Sequence, residues 1–460
     1  MAIQLRDPVH GFVRLDQEEV KLLDTPAIQR LRRIRQLAMA NLVYPGALHT
    51  RFDHSIGVAH VASQMARELE LDEHEEVKLV RLAGLLHDVG HGPFSHVSEK
   101  ALDTYADRSK LKGAKKAEKI HELISAQIIQ NDRDIVRLLG EERCRQIVVL
   151  LSQGHGQPAM KSIVSGPLDA DKQDYLLRDS LFCGVKYGVF DIHQMHRSLT
   201  IEGPKNEKQL MIKQDGIHAV EQYVLAKYYL TTNVYRHKVR LITDEMIVRA
   251  IMLGIEKDEI SGLKKLYSYD GTDGFVRNYC TWDDARFLQK FCVTAKAGRC
   301  QAMLARLLHR RLLKRIFDAR ANEFPAEIRD RLKSLVEPDS RPLRERAERE
   351  IAKALSKLTA TPIDSDEVIV NIFSIRSVRE TSRNDEAGIL VTGQEPKPFD
   401  QVSTLFASIN EQYTDEYVEV YAPMEWSTDT DKDRLRREAR KPILRLIETA
   451  FQEKAKGGKA

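Results

Sequence analysis

An adjacent histidine and aspartate, His87-Asp88, stand at the end of an apolar run and give the strongest chemical signal in the chain. An ionised side chain carried into such an interior is costly unless it is paired or binds a metal. Neutral imidazole and carboxylate groups are both ligands of first-row divalent cations. Glycine and proline at 90–93 should end the helix, so that His91 and His96 can turn back to the same place. The stretch therefore predicts a metal centre.

Two further groups of polar residues flank this pair in the sequence. Upstream, the stretch PGALHTRFDH ends in His54, near the start of a predicted helix and after loop-forming proline and glycine. Downstream, Asp171, Tyr175 and Asp179 recur at i, i+4 and i+8, which places them on one helical face. That face could offer a metal ligand at its end and substrate contacts beyond it, or it could be a surface row of ion pairs. The residues alone leave both interpretations open.

Amphipathic helices must position these groups. Residues 54–70 and 77–87 carry apolar side chains at three- and four-residue spacing, and the second pattern turns His87 to the buried side. Helical patterns recur further along the chain, at 215–255 and, rich in arginine, at 283–320 and 340–358.

The pattern changes after Pro362. Three β-branched runs predict strands, at 368–373, 388–391 and 417–421. Two helices are predicted in the same part of the chain, at 402–409 and 429–454. We therefore predict a mainly α fold, with a helical domain over residues 1–360 and a small α+β lobe over 361–460.

Composition limits the class of protein. The 460 residues are 42% hydrophobic, enough for one large core and a smaller one. We expect no signal peptide, and no apolar run approaches the roughly 20 residues that cross a bilayer. Five cysteines without CxxC spacing are typical of a reduced, cytoplasmic protein. The net charge of +4 suits an anionic small molecule. Nucleic acid is not required, although the basic helices leave it open. The lysine-rich stretch 104–119 is predicted to be a solvated loop or a short exposed helix that could steer phosphate groups.

Taken in order, these segments resemble the HD-domain deoxynucleoside triphosphate triphosphohydrolases. The resemblance covers residues 3 to about 320 and rests on DPVHGFVRL, DTPAIQRLRRIRQL, YPGALHTRFDHSIGV, LLHDVGHGPFSH, SGPLDADKQDYLLRDS and AVEQYVLAKYYLTTNVYRHK. The His-Asp motif is shared by many chemistries, whereas PGxxHTRFxHS and DxDKxDYxxRD are more specific to the nucleotide-hydrolysing branch. The resemblance implies an HD-type helical bundle with a smaller C-terminal α+β lobe. We expect no sterile-alpha-motif domain before it.

Position by position, the resemblance implies a complete site. The metal ligands would be His54, His87, Asp88 and Asp171, around a divalent cation (Mn, Fe, Mg, Zn or Co). The catalytic groups would be His91, His96, Glu99 and His121. The substrate contacts would be Gln36, Leu37, Arg51, Lys172, Tyr175, Asp179 and Tyr235. Arg51 would hold the α-phosphate with its fork of donors, and Glu99, one turn after His96, would orient that imidazole.

The family also carries a regulatory nucleotide site at a subunit interface. The residues that match its base-reading positions are Asp24, Gln29 and Arg32, although the same segment could simply cap and pack a helix. Three residues depart from the family's pattern, Arg6 and Gln194 at activator positions and Lys227 at a substrate position. The resemblance implies a homo-oligomer, a dimer or tetramer, with a nucleotide activator. Because Arg6 and Gln194 differ from the family's pattern, the identity of the activating nucleotide could differ as well.

Three functions of different kinds fit these residues. The first is hydrolysis of a deoxynucleoside triphosphate (dNTP) to deoxynucleoside and triphosphate, and Arg51, Lys172 and Tyr175 favour it. The second is a phosphatase or phosphodiesterase acting on nucleoside monophosphates or signalling nucleotides. The third is a nucleotide-sensing or nucleic-acid-binding module in which catalysis is secondary. We predict the first.

Overall fold

The computed structural model describes residues 3–111, 119–152, 158–203, 209–332, 334–336, 340–376, 388–408 and 414–452. They fold into two compact units, each built from separate segments of the chain. The first unit contains the described residues up to 235 with 264–288 and 388–408, and the second contains 236–263, 289–376 and 414–452. The predicted domain boundary at residue 360 stays a prediction.

Helices dominate both units. In chain order they are α1 (Gln17–Leu23), α2 (Pro26–Gln29), α3 (Arg51–Glu68), α4 (Lys78–Leu86), α5 (His96–Tyr105), α6 (Ile120–Asn131), α7 (Arg133–Leu139), α8 (Glu141–Leu151), α9 (Pro158–Val164), α10 (Ala170–Cys183), α11 (Ile192–Arg197), α12 (Ile217–Leu230), α13 (Lys238–Glu256), α14 (Ser261–Tyr267), α15 (Asp273–Tyr279), α16 (Asp284–Leu288), α17 (Arg299–Leu308), α18 (Ala326–Arg329), α19 (Arg341–Thr359), α20 (Phe399–Val402), α21 (Thr404–Ala407) and α22 (Asp429–Gln452). The predicted mainly α class is confirmed. Of the described helices, none is long and apolar enough to cross a bilayer.

Helices α3, α4 and α10 form the part of the first unit that carries the predicted site. α3 packs against both of the others. It begins with a capping box, in which the Asp53 carboxylate accepts a hydrogen bond from the Thr50 backbone N–H at 2.8 Å. Residues 80–86 of α4 are all buried, so the chain delivers His87 into the interior as the helix ends. The pattern predicted around 54–70 and 77–87 is therefore confirmed.

The strands are β1 (Ile3–Asp7), β2 (Gly11–Leu15), β3 (Leu199–Glu202), β4 (Gln209–Ile212), β5 (Lys314–Arg320), β6 (Ile369–Arg376), β7 (Leu390–Val391), β8 (Lys397–Pro398) and β9 (Thr414–Ala422). In the first unit, β1 and β2 form an antiparallel pair, and β3-β4-β7-β8 form a sheet in which β4 and β7 run parallel. In the second unit, the order is β5-β9-β6, all antiparallel. Side chains of α19 and α22 cover this sheet, which confirms the predicted α+β character.

Three local predictions need correction or lie outside the described residues. The helix predicted over 283–320 is interrupted: α-helix spans only Asp284–Leu288 and Arg299–Leu308, and Lys314–Arg320 is a strand. Its bulge between Arg315 and Phe317 buries two consecutive residues, which hides the alternation of a strand from the sequence. The helix predicted over 402–409 is two single turns separated by Ser403, whose hydroxyl caps the second, and residue 409 lies outside the described residues. So do residues 112–118 of the lysine-rich stretch.

Candidate active site

Four predicted metal ligands converge in the first unit. His54 lies in the first turn of α3, His87 and Asp88 follow α4, and Asp171 lies in the first turn of α10. His54 Nε2 is 2.9 Å from Asp171 Oδ1 and 3.7 Å from Asp88 Oδ2. His87 Nε2 is 3.3 Å from Asp88 Oδ1 and 3.7 Å from Asp171 Oδ1. Two imidazoles and two carboxylates thus face one point.

Hydrogen bonds on the far side of each ring decide which nitrogen faces that point. His87 Nδ1 donates to the Gly84 carbonyl at 2.7 Å, and His54 Nδ1 donates to Asp174 Oδ2 at 2.7 Å. In the neutral rings, Nε2 is then the nitrogen that carries the free lone pair. His87 Nε2 is buried and has no hydrogen-bond partner among the described residues. A divalent cation fits this donor set, because it would take up that lone pair between the carboxylates.

The electrostatics of the group agree with a cation. Burial alone would lower the pKa of His54, but hydrogen bonds with Asp171 and Asp174 outweigh it and raise this pKa to about 10. Burial alone would raise the pKa of Asp88, yet the charges of Arg51 and His87 hold it well below its usual range. The carboxylates are therefore ionised, and a metal would displace the proton that His54 otherwise holds between them.

A buried network behind His54 includes residues to which the sequence assigned no role. Asp174 Oδ1 is 2.6 Å from His10 Nε2, and Arg178 donates to Asp174 through Nε at 2.8 Å. Arg178 also donates to Asp7 Oδ2 at 2.9 Å. A Cβ at Gly57, one turn after His54, would collide with the Asp174 carboxylate and the Arg178 guanidinium. The glycine lets this network approach the backbone of α3.

We expect Asp174→Asn to weaken divalent-cation binding by roughly 10- to 100-fold, the usual effect of removing a partner behind a metal-binding histidine. The amide offers one acceptor where the carboxylate offers two, so His54 loses the group that fixes its ring. Calorimetric titration of metal-free protein with Mn²⁺ measures the change, with thermal unfolding recorded in parallel. Asp191→Asn, at an exposed helix cap, is the control. An unchanged Kd for the Asp174 variant would contradict the assignment.

A second histidine group adjoins the first. One nitrogen from each of His91, His96 and His121 lies within 4.8 Å of the others. Glu99 was expected to orient His96, but its carboxylate accepts from His121 Nδ1 at 2.6 Å and from the Ile120 backbone N–H at 2.5 Å. The reason is that α6 begins there, and its unpaired backbone N–H groups attract a carboxylate. Glu99 therefore orients His121.

The imidazoles of His91 and His96 are neutral. Desolvation of the ring, and then the charge of Arg51, hold the pKa of each well below its usual range; His91 is buried, whereas the His96 side chain is exposed at the cavity wall. Arg51 lies between the two groups: its guanidinium contacts Asp88, and its Nε donates to Ser95 Oγ at 2.8 Å. A neutral imidazole can accept a proton, and a buried guanidinium beside it can bind an anion.

Most of these groups line one cavity of about 360 Å³. The predicted site residues on its wall are Gln36, Arg51, His87, Asp88, His91, His96, His121, Asp171, Lys172 and Tyr175. Lys172 Nζ is held by Asp169 Oδ2 at 2.6 Å and by the Gly166 carbonyl at 2.9 Å. The wall therefore combines three of the four predicted ligands, the second histidine group and two cationic side chains.

The remaining predicted substrate residues form a cluster next to Tyr175. Tyr235 donates to Asp179 Oδ2 at 2.6 Å, and its ring lies 6.1 Å from that of Tyr175. Leu37 packs with Tyr235. His49 Nε2 donates to Asp179 Oδ1 at 2.7 Å, although no role was predicted for this histidine. Its position in the HTRF segment, next to Arg51, was the available signal.

The predicted regulatory residues lie close together on the segment 24–32. Gln29 donates to the Leu23 carbonyl at 2.9 Å and accepts from Arg32 Nε at 2.9 Å. The Arg32 guanidinium stacks 3.5 Å over the ring of Phe52. Asp24 is exposed at the end of α1. A nucleotide site at these residues stays a prediction.

Comparison with known proteins agrees with this organisation. Residues 51–167 match the HD domain family, and residues 190–449 match the HD associated region. An uncharacterized protein of Methanocaldococcus jannaschii is 34% identical over 58% of this chain and 52% of its own length. The deoxynucleoside triphosphate triphosphohydrolase SAMHD1 of Homo sapiens is 30% identical over 67% of this chain and 54% of its own. The chain thus spans about half the length of these curated relatives. A phosphohydrolase structure from Bacteroides thetaiotaomicron shares the fold, with a TM-score of 0.70 at 22% identity over 92% of this chain and all of the other.

Proposed function

Because the chain belongs to the family of HD-domain proteins with an HD-associated region, we propose that it hydrolyses dNTPs to deoxynucleoside and triphosphate. The observation that carries this proposal is the meeting, on one cavity wall, of three of the four predicted ligands (His87, Asp88 and Asp171) with Arg51 and with His91 and His96. His54, His87, Asp88 and Asp171 would hold the divalent cation. The relative named as a deoxynucleoside triphosphate triphosphohydrolase supports the substrate class.

In the proposed reaction, water attacks the α-phosphorus and the bond from phosphorus to the 5′-oxygen breaks. His96 accepts the proton that water gives up, and the leaving 5′-oxygen takes a proton from the same histidine group, which includes His121. Arg51 and Lys172 offset the negative charge of the phosphates. When bound, the cation would supply Lewis-acid stabilisation of charge on the phosphoryl oxygens.

The cluster beside Tyr175 would receive the sugar. The rings of Tyr175 and Tyr235 and the side chain of Leu37 offer an apolar surface, and Asp179 holds the Tyr235 hydroxyl in place. Deoxyribose packed against such rings leaves no room for a 2′-hydroxyl, which would select dNTPs over ribonucleotides. In the oligomer that we expect, a nucleotide at Asp24, Gln29 and Arg32 would add regulation.

Incubation of the metal-loaded protein with each dNTP in ¹⁸O-water tests the proposal. We expect chromatography to show deoxynucleoside and triphosphate, with the label in triphosphate, because the attack is at phosphorus. Label in the deoxynucleoside would contradict that attack. Release of inorganic phosphate from nucleoside monophosphates, without triphosphate from any dNTP, would instead support a phosphatase.

A further inference from the structure

A strained turn of the backbone lies between the predicted ligands His87 and Asp88 and the start of α5. Phe94 and Ser95 both have positive φ, 63° and 60°. Residues other than glycine rarely adopt a positive φ, so the surrounding structure must hold the turn in place. The turn affects two site residues: Ser95 Oγ accepts from Arg51 Nε, and Ser95 directly precedes His96, the first residue of α5, without a side-chain capping bond.

One buried carboxylate holds this turn from behind. Asp284, at the start of α16, accepts from the Phe94 backbone N–H at 2.7 Å through Oδ1. Through Oδ2 it accepts from the Arg35 backbone N–H at 3.0 Å. One turn along α16, the ring of Phe287 packs edge-on against that of Phe94, with centroids 5.1 Å apart. Asp284 is not among the residues that line the cavity.

The second contact of Asp284 leads to the backbone beside Arg51. Arg35 and Thr50 form an antiparallel β-bridge, and the Arg51 N–H donates to the Ile34 carbonyl at 2.9 Å. The carboxylate of Asp284 therefore ties the segment that carries Arg51 to the turn that carries Ser95. Arg51 and Ser95 are the donor and the acceptor of the hydrogen bond that orients the Arg51 guanidinium in the cavity.

We propose that Asp284 is a positioning residue of the active site, which sets the geometry of Arg51 and His96 by bracing the backbone at Arg35 and Phe94. For its effect on catalysis, this inference rests on the proposed function. Asparagine offers one acceptor in place of two, so one of the braced N–H groups is released. Small displacements of positioned groups reduce rates strongly, by roughly 100-fold for about 1 Å.

Kinetics provide the first test. Asp284→Asn should lower kcat by roughly 10- to 100-fold per metal-loaded site, with unchanged metal content. Asp284→Glu keeps both acceptor oxygens and should therefore have a kcat between those of Asp284→Asn and the wild type. The matched control is Asp283→Asn, since Asp283 is equally buried but contacts Arg33 and the N–H of Arg286 instead. An equal kcat loss in both variants, or no loss in Asp284→Asn, would overturn the proposal.

A double-mutant cycle tests the brace without using activity. Ser95→Gly and Ser95→Ala both remove the hydroxyl, but only glycine relieves the positive φ. With Asp284 present, the glycine variant should unfold at a Tm about 1–3 °C higher than the alanine variant. In the Asp284→Asn background the turn is free to relax, so the Tm difference between the glycine and alanine variants should vanish or reverse. A Tm difference that persists would refute the proposal that Asp284 holds the turn. If the wild type releases no triphosphate while the cycle behaves as expected, the proposed function fails and the brace stands.

Discussion

We expect alanine in place of His87 or Asp88 to abolish metal binding and the proposed hydrolysis together, while the chain stays folded. Each variant removes one of four groups that converge on a single point, and the remaining three leave the cation short of a ligand. His87→Ala is the cleaner of the two, because Asp88 also pairs with the Arg51 guanidinium. Elemental analysis after gel filtration measures the metal, and chromatography of the dNTP products measures turnover.

The control for this experiment is His218→Ala. His218 is exposed and contacts only Glu221 among the described residues, so its loss should change neither metal content nor turnover. Circular dichroism during heating shows whether each variant is folded. Turnover that persists in folded His87→Ala protein without metal would contradict a metal-dependent reaction.

The residues that converge at the candidate metal centre could be named from the sequence because their signals are local. His87 and Asp88 are adjacent, the residues after them break the helix, and His54 and Asp171 each lie in a short, recognisable segment. The helices that carry them follow from apolar periodicity, which a buried helix such as α4 shows clearly. The convergence of the three segments was implied only by resemblance.

The supporting contacts could not be predicted, since they join residues far apart in the chain. His10 and Asp174 are 164 positions apart, and Phe94 and Asp284 are 190 apart. No spacing rule connects such pairs. Glu99 was predicted to contact His96 but contacts His121. This could not be predicted either, because it depends on where the start of α6 lies in space.

The strand Lys314–Arg320 shows the limit of periodicity for secondary structure. Its arginine-rich pattern resembles an amphipathic helix, and a bulge removes the alternation that would identify a strand. Pairing with β9, whose Val418 and Val420 are fully buried, decides the conformation instead. Local propensity is weak compared with such tertiary burial.

Alanine in place of His96 should lower turnover by roughly 100-fold or more, the usual contribution of a general acid or base. Metal content should be unchanged, because His96 lies with His91 and His121 in the second histidine group and is not one of the four predicted metal ligands. Desolvation of the ring and the Arg51 charge keep the pKa of His96 well below its usual value of 6.5. Its proton-accepting form therefore persists as the pH falls through 6.5 and is lost only at lower pH.

The pH dependence and a matched pair of variants separate this role from a structural one. If His96 accepts the proton from water, its titration should not affect the wild-type rate near pH 6.5. The pH profiles of the wild type and of His96→Ala should therefore have the same shape around that pH. Glu99→Gln should reduce turnover through the orientation of His121, again without loss of metal. His74→Ala, at an exposed position before α4, is the neutral control. A full rate in metal-loaded His96→Ala would remove His96 from the mechanism and leave the reaction to the ligand group, Arg51 and His121.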